Sequence, residues 1–409
     1  MTVLVRPFRA LRPRPEHASS VAAPPYDVVD TDEARALAEG KPFSFLHVSR
    51  PEIDLPPGTD PYSDAVYSKG AENLARLIES GVLVRDETPS FYVYRMALDG
   101  HVQTGVACVA SVRAYEENRI RKHELTRPDK ENDRVRHIDA LNAQTGPVLL
   151  AYRSTDRLRE RLAELSGGAP SIDADGPQNV RHSLWRVSDP AVVAELEREL
   201  NALGRLYIAD GHHRSAAAAR VARARRSGDP HASHEYFLAV AFPHDEMRIL
   251  DYNRVIADLN GMTVAELIER LGAHFQVRVA EKAAKPSARR TFGMYLDGTW
   301  YSLALKSGAL PADPVGRLDV SLLQARVIGP LLGIDDPRTD ARIAFVGGVR
   351  GLEELERLVD SRRAAVAFAL HPTSMEELMD VADAELLMPP KSTWFEPKLA
   401  DGLLSHVLD

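Results

Sequence analysis

The sequence predicts an α/β protein of the α+β kind built in two parts, and three observations carry that reading. The chain has 409 residues, 44% hydrophobic and 27% charged, enough to bury more than one core. Short apolar runs of strand character alternate with stretches of helical periodicity through the first 150 residues. Near Asn260-Gly261 the character changes and a new series of strands and helices begins, so the expected division is 1–260 and 261–409.

Taken in order, SFLHVS (44–49), SFYVYRMAL (90–98) and GVACVASV (105–112) read as strands. Between the first two, Val66, Leu74, Leu77 and Ile78 recur at helical spacing. Residues 156–165 and 190–203 are amphipathic helices, the second opened by Asp189 as cap and Pro190 at its first position. RLYIAD (205–210) is a short buried strand that runs through Gly211 into the helix SAAAARVARARR (215–226). YFLAVAF (236–242) is another buried strand, and RILDYNRVI (248–256) an edge strand. Thr263 and Glu266 form a capping box for a helix over 263–275. Strands at 292–297 and 300–305 flank Gly298-Thr299 as a hairpin, and a strand–helix–strand–helix series follows from RIAFVGG onward.

Composition excludes several classes. A single cysteine, Cys108, allows no internal disulfide and no cysteine-rich metal cage, which fits a reducing compartment. The N-terminal segment has no apolar stretch of secretory type, and no segment has the ~18 apolar residues of a membrane helix. The expected location is therefore the cytoplasm, with no membrane partner. A formal charge of -8 argues against nucleic acid as a partner. Positive charge is nevertheless local: residues 119–137 carry seven Lys/Arg against four Asp/Glu, which suits a small anion.

The strongest candidate site is Asp210-Gly211-His212-His213-Arg214. Gly211 permits a tight turn, and the amides of 211–215, Ser215 included, would be unpaired donors at a helix N-terminus, where the dipole favours an anion. Arg214 could add a bidentate contact to phosphate oxygens. Asp210 could hold Mg²⁺ or take a hydroxyl proton, while His212 and His213 could donate to phosphate or shuttle protons. A zinc site among His212, His213, His231, His234 and Glu235 has poor spacing, lacking the i, i+4 geometry of helical zinc motifs.

A second constellation, Lys122-His123-Glu124-Leu125-Thr126-Arg127, continues through Lys130, Asp133 and Arg134. Its density of acids and bases fits either a phosphate site or an exposed, salt-bridged helix. Two proline-stiffened segments complete the set. AAPPYDVV presents Tyr26 and Asp27 as substrate contacts, and MPPKSTWFEPK offers Lys391, Ser392 and Thr393 as phosphate contacts.

At these residues the sequence resembles a known family. FRALRP, VAAPPYDVV, KHELT, LYIADGHHR, ILDYNRV and PPKSTWFEPK, in that order, are similar to the domain-of-unknown-function family numbered 1015. Its members are often labelled as partition-protein-like (ParB/Spo0J), and its glycine turn is similar to that of the ParB/sulfiredoxin superfamily. The resemblance implies a ParB/sulfiredoxin-like core with a second C-terminal α/β layer. Free-serine kinases of that superfamily carry a comparable turn, so the resemblance also implies nucleotide-dependent phosphorylation of a small hydroxyl compound such as L-serine. Sulfiredoxin chemistry needs a cysteine where His212 or His213 stands, and no segment reads as a basic helix-turn-helix.

The expected activity is thus a phosphotransferase using ATP or ADP with Mg²⁺; the alternative is a nucleotide-responsive switch without turnover. Amides 211–215 and Arg214 would cradle phosphate, Asp210 and Glu124 would bind metal or act as base, and Lys122, His123 and Arg127 would neutralise charge. The acceptor and the oligomeric state stay open. Three expectations follow: the 211–215 amides face an open cleft, KHELT and the Asp210 turn share one site, and Asp210 is needed for turnover but not for folding.

Overall fold

The computed structural model describes residues 3–409. The chain forms two compact units, one of 1–247 with 397–409 and one of 248–396, so it leaves the first unit once and returns to it. The architecture is mixed α/β in both.

The first unit is built on a nine-stranded mixed sheet. Eight strands run in the order Ile120–Arg121, Leu206–Asp210, Val148–Tyr152, Tyr236–Pro243, His101–Ser111, Phe91–Leu98, Arg181–Val187 and Ile172–Asp175. The ninth, Val5–Arg6, pairs with His101–Ser111. Strand Tyr236–Pro243 is buried along its whole length, as an unbroken apolar run requires. A smaller sheet joins Leu83–Arg85, Ala10–Pro13, Ser405–Val407 and Ala143–Gln144, and the strand at 405–407 is what ties the returning segment down.

One pairing positions the site. Leu206–Asp210 runs parallel to Ile120–Arg121, with Leu206 opposite Ile120 and Tyr207 opposite Arg121. Parallel strands leave the sheet at the same end, so the residues after both strands, 122–127 and 210–214, emerge side by side. The helix that follows, His212–Arg225, buries Ala216, Ala217, Ala218, Ala219, Val221 and Ala222. Small side chains let its backbone approach the core closely on more than one side.

The second unit is a six-stranded antiparallel sheet in the order Phe275–Ala280, Thr299–Leu305, Thr291–Leu296, Val366–Leu370, Tyr252–Ile256 and Ile343–Gly347. Its hairpin turns on Asp297 and Gly298, both left-handed (φ 48° and 74°), the backbone of a two-residue turn. Thr263 and Glu266 do form the capping box, over helix Val264–Leu271.

Two sequence expectations fail, each for a physical reason. Segment 44–49 is not a strand; Leu46–Ser49 is a helical turn closed by local bonds such as Arg50 N–H to Leu46 O at 2.8 Å. Phe45, Leu46, Val48 and Ser49 are all buried, and a run covered on every side shows neither period. RILDYNRVI is not one edge strand. It breaks at Asp251, and Tyr252–Ile256 lies between two partners with all five residues buried.

Candidate functional site

The Asp210 turn is a closed structure rather than an open row of amides. Gly211 adopts φ 100°, and a Cβ there would sit 3.1 Å from Arg214 Nε and 3.3 Å from Val148 Cα, so the position requires glycine. The guanidinium of Arg214 folds back over the turn: Nη1 donates to the Pro147 carbonyl and Nη2 to Asp210 Oδ2 at 3.4 Å. Gly211, His212, Arg214 and Ser215 are buried and His213 half-buried, so the expected open cleft is not found there. Ser215 Oγ donates to the His212 carbonyl. The anion that the helix N-terminus attracts is the protein's own carboxylate.

That carboxylate is strongly compensated. Lys398 Nζ lies 3.6 Å from Asp210 Oδ2. Burial alone would raise the Asp210 carboxyl, but Lys398, Arg214 and the Gly211 amide outweigh it and hold it well below the usual carboxylate range. Conversely, burial would lower Arg214, and the carboxylates of Asp210 and Asp27 overcome it and keep the guanidinium charged. Asp210 is therefore satisfied by two cations, a poor starting point for a resident Mg²⁺ ligand.

The 122–127 loop does pack on the turn. The His123 amide donates to His212 Nε2 at 3.4 Å, and the two rings meet edge to face with centroids 4.5 Å apart. Glu124 Oε2 is 3.8 Å from His212 Nδ1, and the Arg127 amide donates to His213 Nε2 at 3.0 Å. His123 is buried, which pushes its titration down to about 4 despite the Ile208 carbonyl and Asp210 nearby. Burial and then His123 lower His212 well below the ordinary value, so both rings are neutral at pH 7. Glu124 and Arg127 are the solvent-facing members, 53% and 70% exposed. Lys122 turns elsewhere, its ammonium 4.0 Å from the centre of the Tyr115 ring.

Tyr26 and Asp27 reach the same neighbourhood. The Tyr26 ring lies under Arg134, 3.8 Å from the guanidinium carbon, and Arg134 pairs with Asp133 at 2.7 Å. A niche of about 30 Å³, roughly one water, is lined by Tyr26, Arg134, Gly146, Arg214 and Asp401 among others. Tyr26, Arg134 and His137 also line a second cavity of about 200 Å³, with Arg50, Glu52 and Lys130 around it.

Sequence reasoning missed Lys398 and Asp401. Lys398 ends the PPKSTWFEPK segment, where attention fell on Lys391, Ser392 and Thr393. Those three belong to the second unit. There Lys391 lies over the Tyr252 ring at 5.6 Å, and buried Ser392 donates to the Pro389 carbonyl at 2.6 Å. Asp401 has no local sequence signal at all. It is buried, its Oδ1 has no hydrogen-bond partner, and burial raises its carboxyl to about 7 against the pull of Arg214 and Arg134.

Fold and site together define an α+β protein with a charge-paired strand-to-helix turn, closed by a histidine–glutamate loop from the neighbouring parallel strand. The chain belongs to the family described as "Protein of unknown function (DUF1015)", which matches residues 5–321. No curated protein matches it. Among solved structures, it is similar to a conserved hypothetical protein from Pyrococcus furiosus at 15% identity, covering 73% of this chain and 94% of that one, with a TM-score of 0.34. A free serine kinase in complex with AMP is 13% identical over 71% of this chain and 86% of that one, with a TM-score of 0.34. SbnI from Staphylococcus aureus, truncated at its C-terminus, is 12% identical over 72% and 85%, with a TM-score of 0.37. Among the described residues no helix is long and apolar enough to cross a membrane.

Proposed function

We propose that the first unit is a nucleotide-dependent phosphotransferase acting on a small hydroxyl compound, with free L-serine the acceptor to test first. The observation that carries this reading is the closure of the 122–127 loop on the Asp210 turn, with Glu124 3.8 Å from His212 and the Arg127 amide 3.0 Å from His213. It sets a solvent-facing carboxylate beside imidazoles and several cations, and phosphoryl transfer asks a protein mainly for positioning and charge neutralisation.

In this reading Glu124 takes the proton of the acceptor hydroxyl. The acceptor oxygen forms a bond to the terminal phosphorus of ATP or ADP as the bridging P–O bond breaks, and the shortened nucleotide leaves. Arg127 and His213 face the phosphates, while Arg214 and Lys398 act through the field around Asp210. Tyr26 borders the acceptor's cavity, and Asp27 follows it in the chain. Magnesium belongs to the nucleotide, as part of the substrate.

A second reading is a nucleotide-responsive binding protein without turnover. Turnover separates the two. Incubation with ATP or ADP and a panel of hydroxyl amino acids should yield phosphorylated product, and Glu124→Gln should lower the rate by ~10²-fold or more with nucleotide affinity retained. Stoichiometric nucleotide binding without product selects the switch; absence of both removes the nucleotide from the account.

A further inference from the structure

The cluster behind the exposed loop has a donor set that magnesium does not favour. One ligand atom each from His123, Glu124 and His212 lies within 4.8 Å of the others. The Glu124 Oε2 to His212 Nδ1 separation of 3.8 Å is too long for a hydrogen bond. Two ligands each ~2.0–2.2 Å from one tetrahedral ion lie about 3.3–3.6 Å apart, so a closure of a few tenths of an ångström brings this pair onto a shared ion. An independent observation points the same way: His123, only 2% exposed, has a buried Nδ1 with no hydrogen-bond partner. Buried polar atoms are almost always satisfied, and a neutral imidazole nitrogen lacking a donor is a metal ligand in waiting.

We infer that His123, Glu124 and His212 form a binding site for a nitrogen-preferring divalent ion of the zinc or cobalt class. Two imidazoles and one carboxylate suit such ions, whereas Mg²⁺ prefers oxygen ligands and water. Three protein ligands with Glu124 at the surface leave a coordination position facing solvent. Ligation at His212 Nδ1 places the ring proton on Nε2, so the 3.4 Å contact from the His123 amide opens on binding. It is a long and weak bond. The inference does not depend on phosphotransfer.

The test is metal binding by the full chain after chelation and dialysis, with Zn²⁺, Co²⁺, Mn²⁺ and Mg²⁺ each titrated by calorimetry and Co²⁺ also followed by visible absorption. One Zn²⁺ or Co²⁺ per chain is expected, bound more tightly than Mg²⁺, with a cobalt spectrum of nitrogen and oxygen ligation. Glu124→Ala and His212→Ala should each weaken Zn²⁺ by ~10-fold or more, while His231→Ala, at an exposed histidine paired with Arg6, should not. If alanine at 212 prevents folding, the exposed Glu124 variant decides. Absence of stoichiometric binding, Mg²⁺ binding as tight as Zn²⁺, or parent affinity in Glu124→Ala would overturn the site.

Discussion

Asp210 shows how a single side chain changes meaning once its partners are known. As a sequence position it is a carboxylate beside a helix N-terminus, removable at little cost to folding. In the structure it answers Lys398 at 3.6 Å and Arg214 at 3.4 Å. Neutralising it leaves a largely buried guanidinium without its carboxylate, so Asp210→Asn should cost stability as well as function, on the order of 1–3 kcal/mol. A melting temperature equal to the parent's would show that the ion pairs are idle. Gly211→Ala should be at least as damaging, about 1–3 kcal/mol from the left-handed backbone alone, with Arg214 and Val148 in the way of the new methyl. Asp401 should respond to pH in the opposite sense to most carboxylates. Its folded carboxyl titrates near 7 and the unfolded one near 3.8, so the native state loses stability as pH rises between them. The melting difference between Asp401→Asn and the parent should therefore move in favour of Asn from pH 5 to pH 8; a constant difference would place the charge in a compensated pair.

At the level of elements, the parallel pairing of Leu206–Asp210 with Ile120–Arg121 and the small face of helix His212–Arg225 decide where the site forms. The helix can carry Arg214 back over the turn because alanines hold it close. Ala218 is 1% exposed within the sheet core, and Ala218→Leu should lower stability by ~1–3 kcal/mol through overpacking. It should also displace the turn, so affinity for zinc and for nucleotide would fall together. A variant that loses stability while keeping both affinities would show that the turn is held by its ion pairs instead. Much of this level was legible: helices 156–165 and 190–203 with the Asp189 cap of the second, the strands around 91–98 and 206–210, and a hairpin at Gly298, expected on Gly298-Thr299 and found one residue earlier on Asp297-Gly298, follow from periodicity and turn chemistry. The misreadings at 44–49 and 248–256 centre on residues 45–46, 48–49 and 252–256, which are buried whichever way they point, so periodicity carries little information there.

Across the whole molecule, acid sensitivity should dominate. Burial lowers His123, His137 and His406 to about 4 and His182 to about 3, while an unfolded histidine titrates near ~6.5. Between these values the unfolded chain binds more protons than the native one. Stability present above pH ~6.5 is therefore lost as pH falls toward 4. Urea midpoints at pH 7.5, 6, 5 and 4.5 should drop steeply, and His182→Gln should flatten part of the drop. Equal midpoints from pH 7.5 to 5 would mean that these rings escape burial in the native state.

By itself the sequence determined the mixed α/β class, most element positions, the family, and the residues of the Asp210 turn and the 122–127 loop as chemically unusual. Each of these rests on local information: apolar period, caps, turn glycines and charge density over a few residues. That the two segments meet was an expectation the parallel strand pairing made concrete. Only the tertiary structure decided that the turn is filled by Arg214, and that Lys398 and Asp401 come to it from a segment returning after 149 residues of another unit. It alone showed that Lys122 faces a tyrosine ring while His123 keeps an unpartnered nitrogen. Burial and charge compensation depend on which distant side chains fill the space around a group, and no local pattern in the chain encodes that.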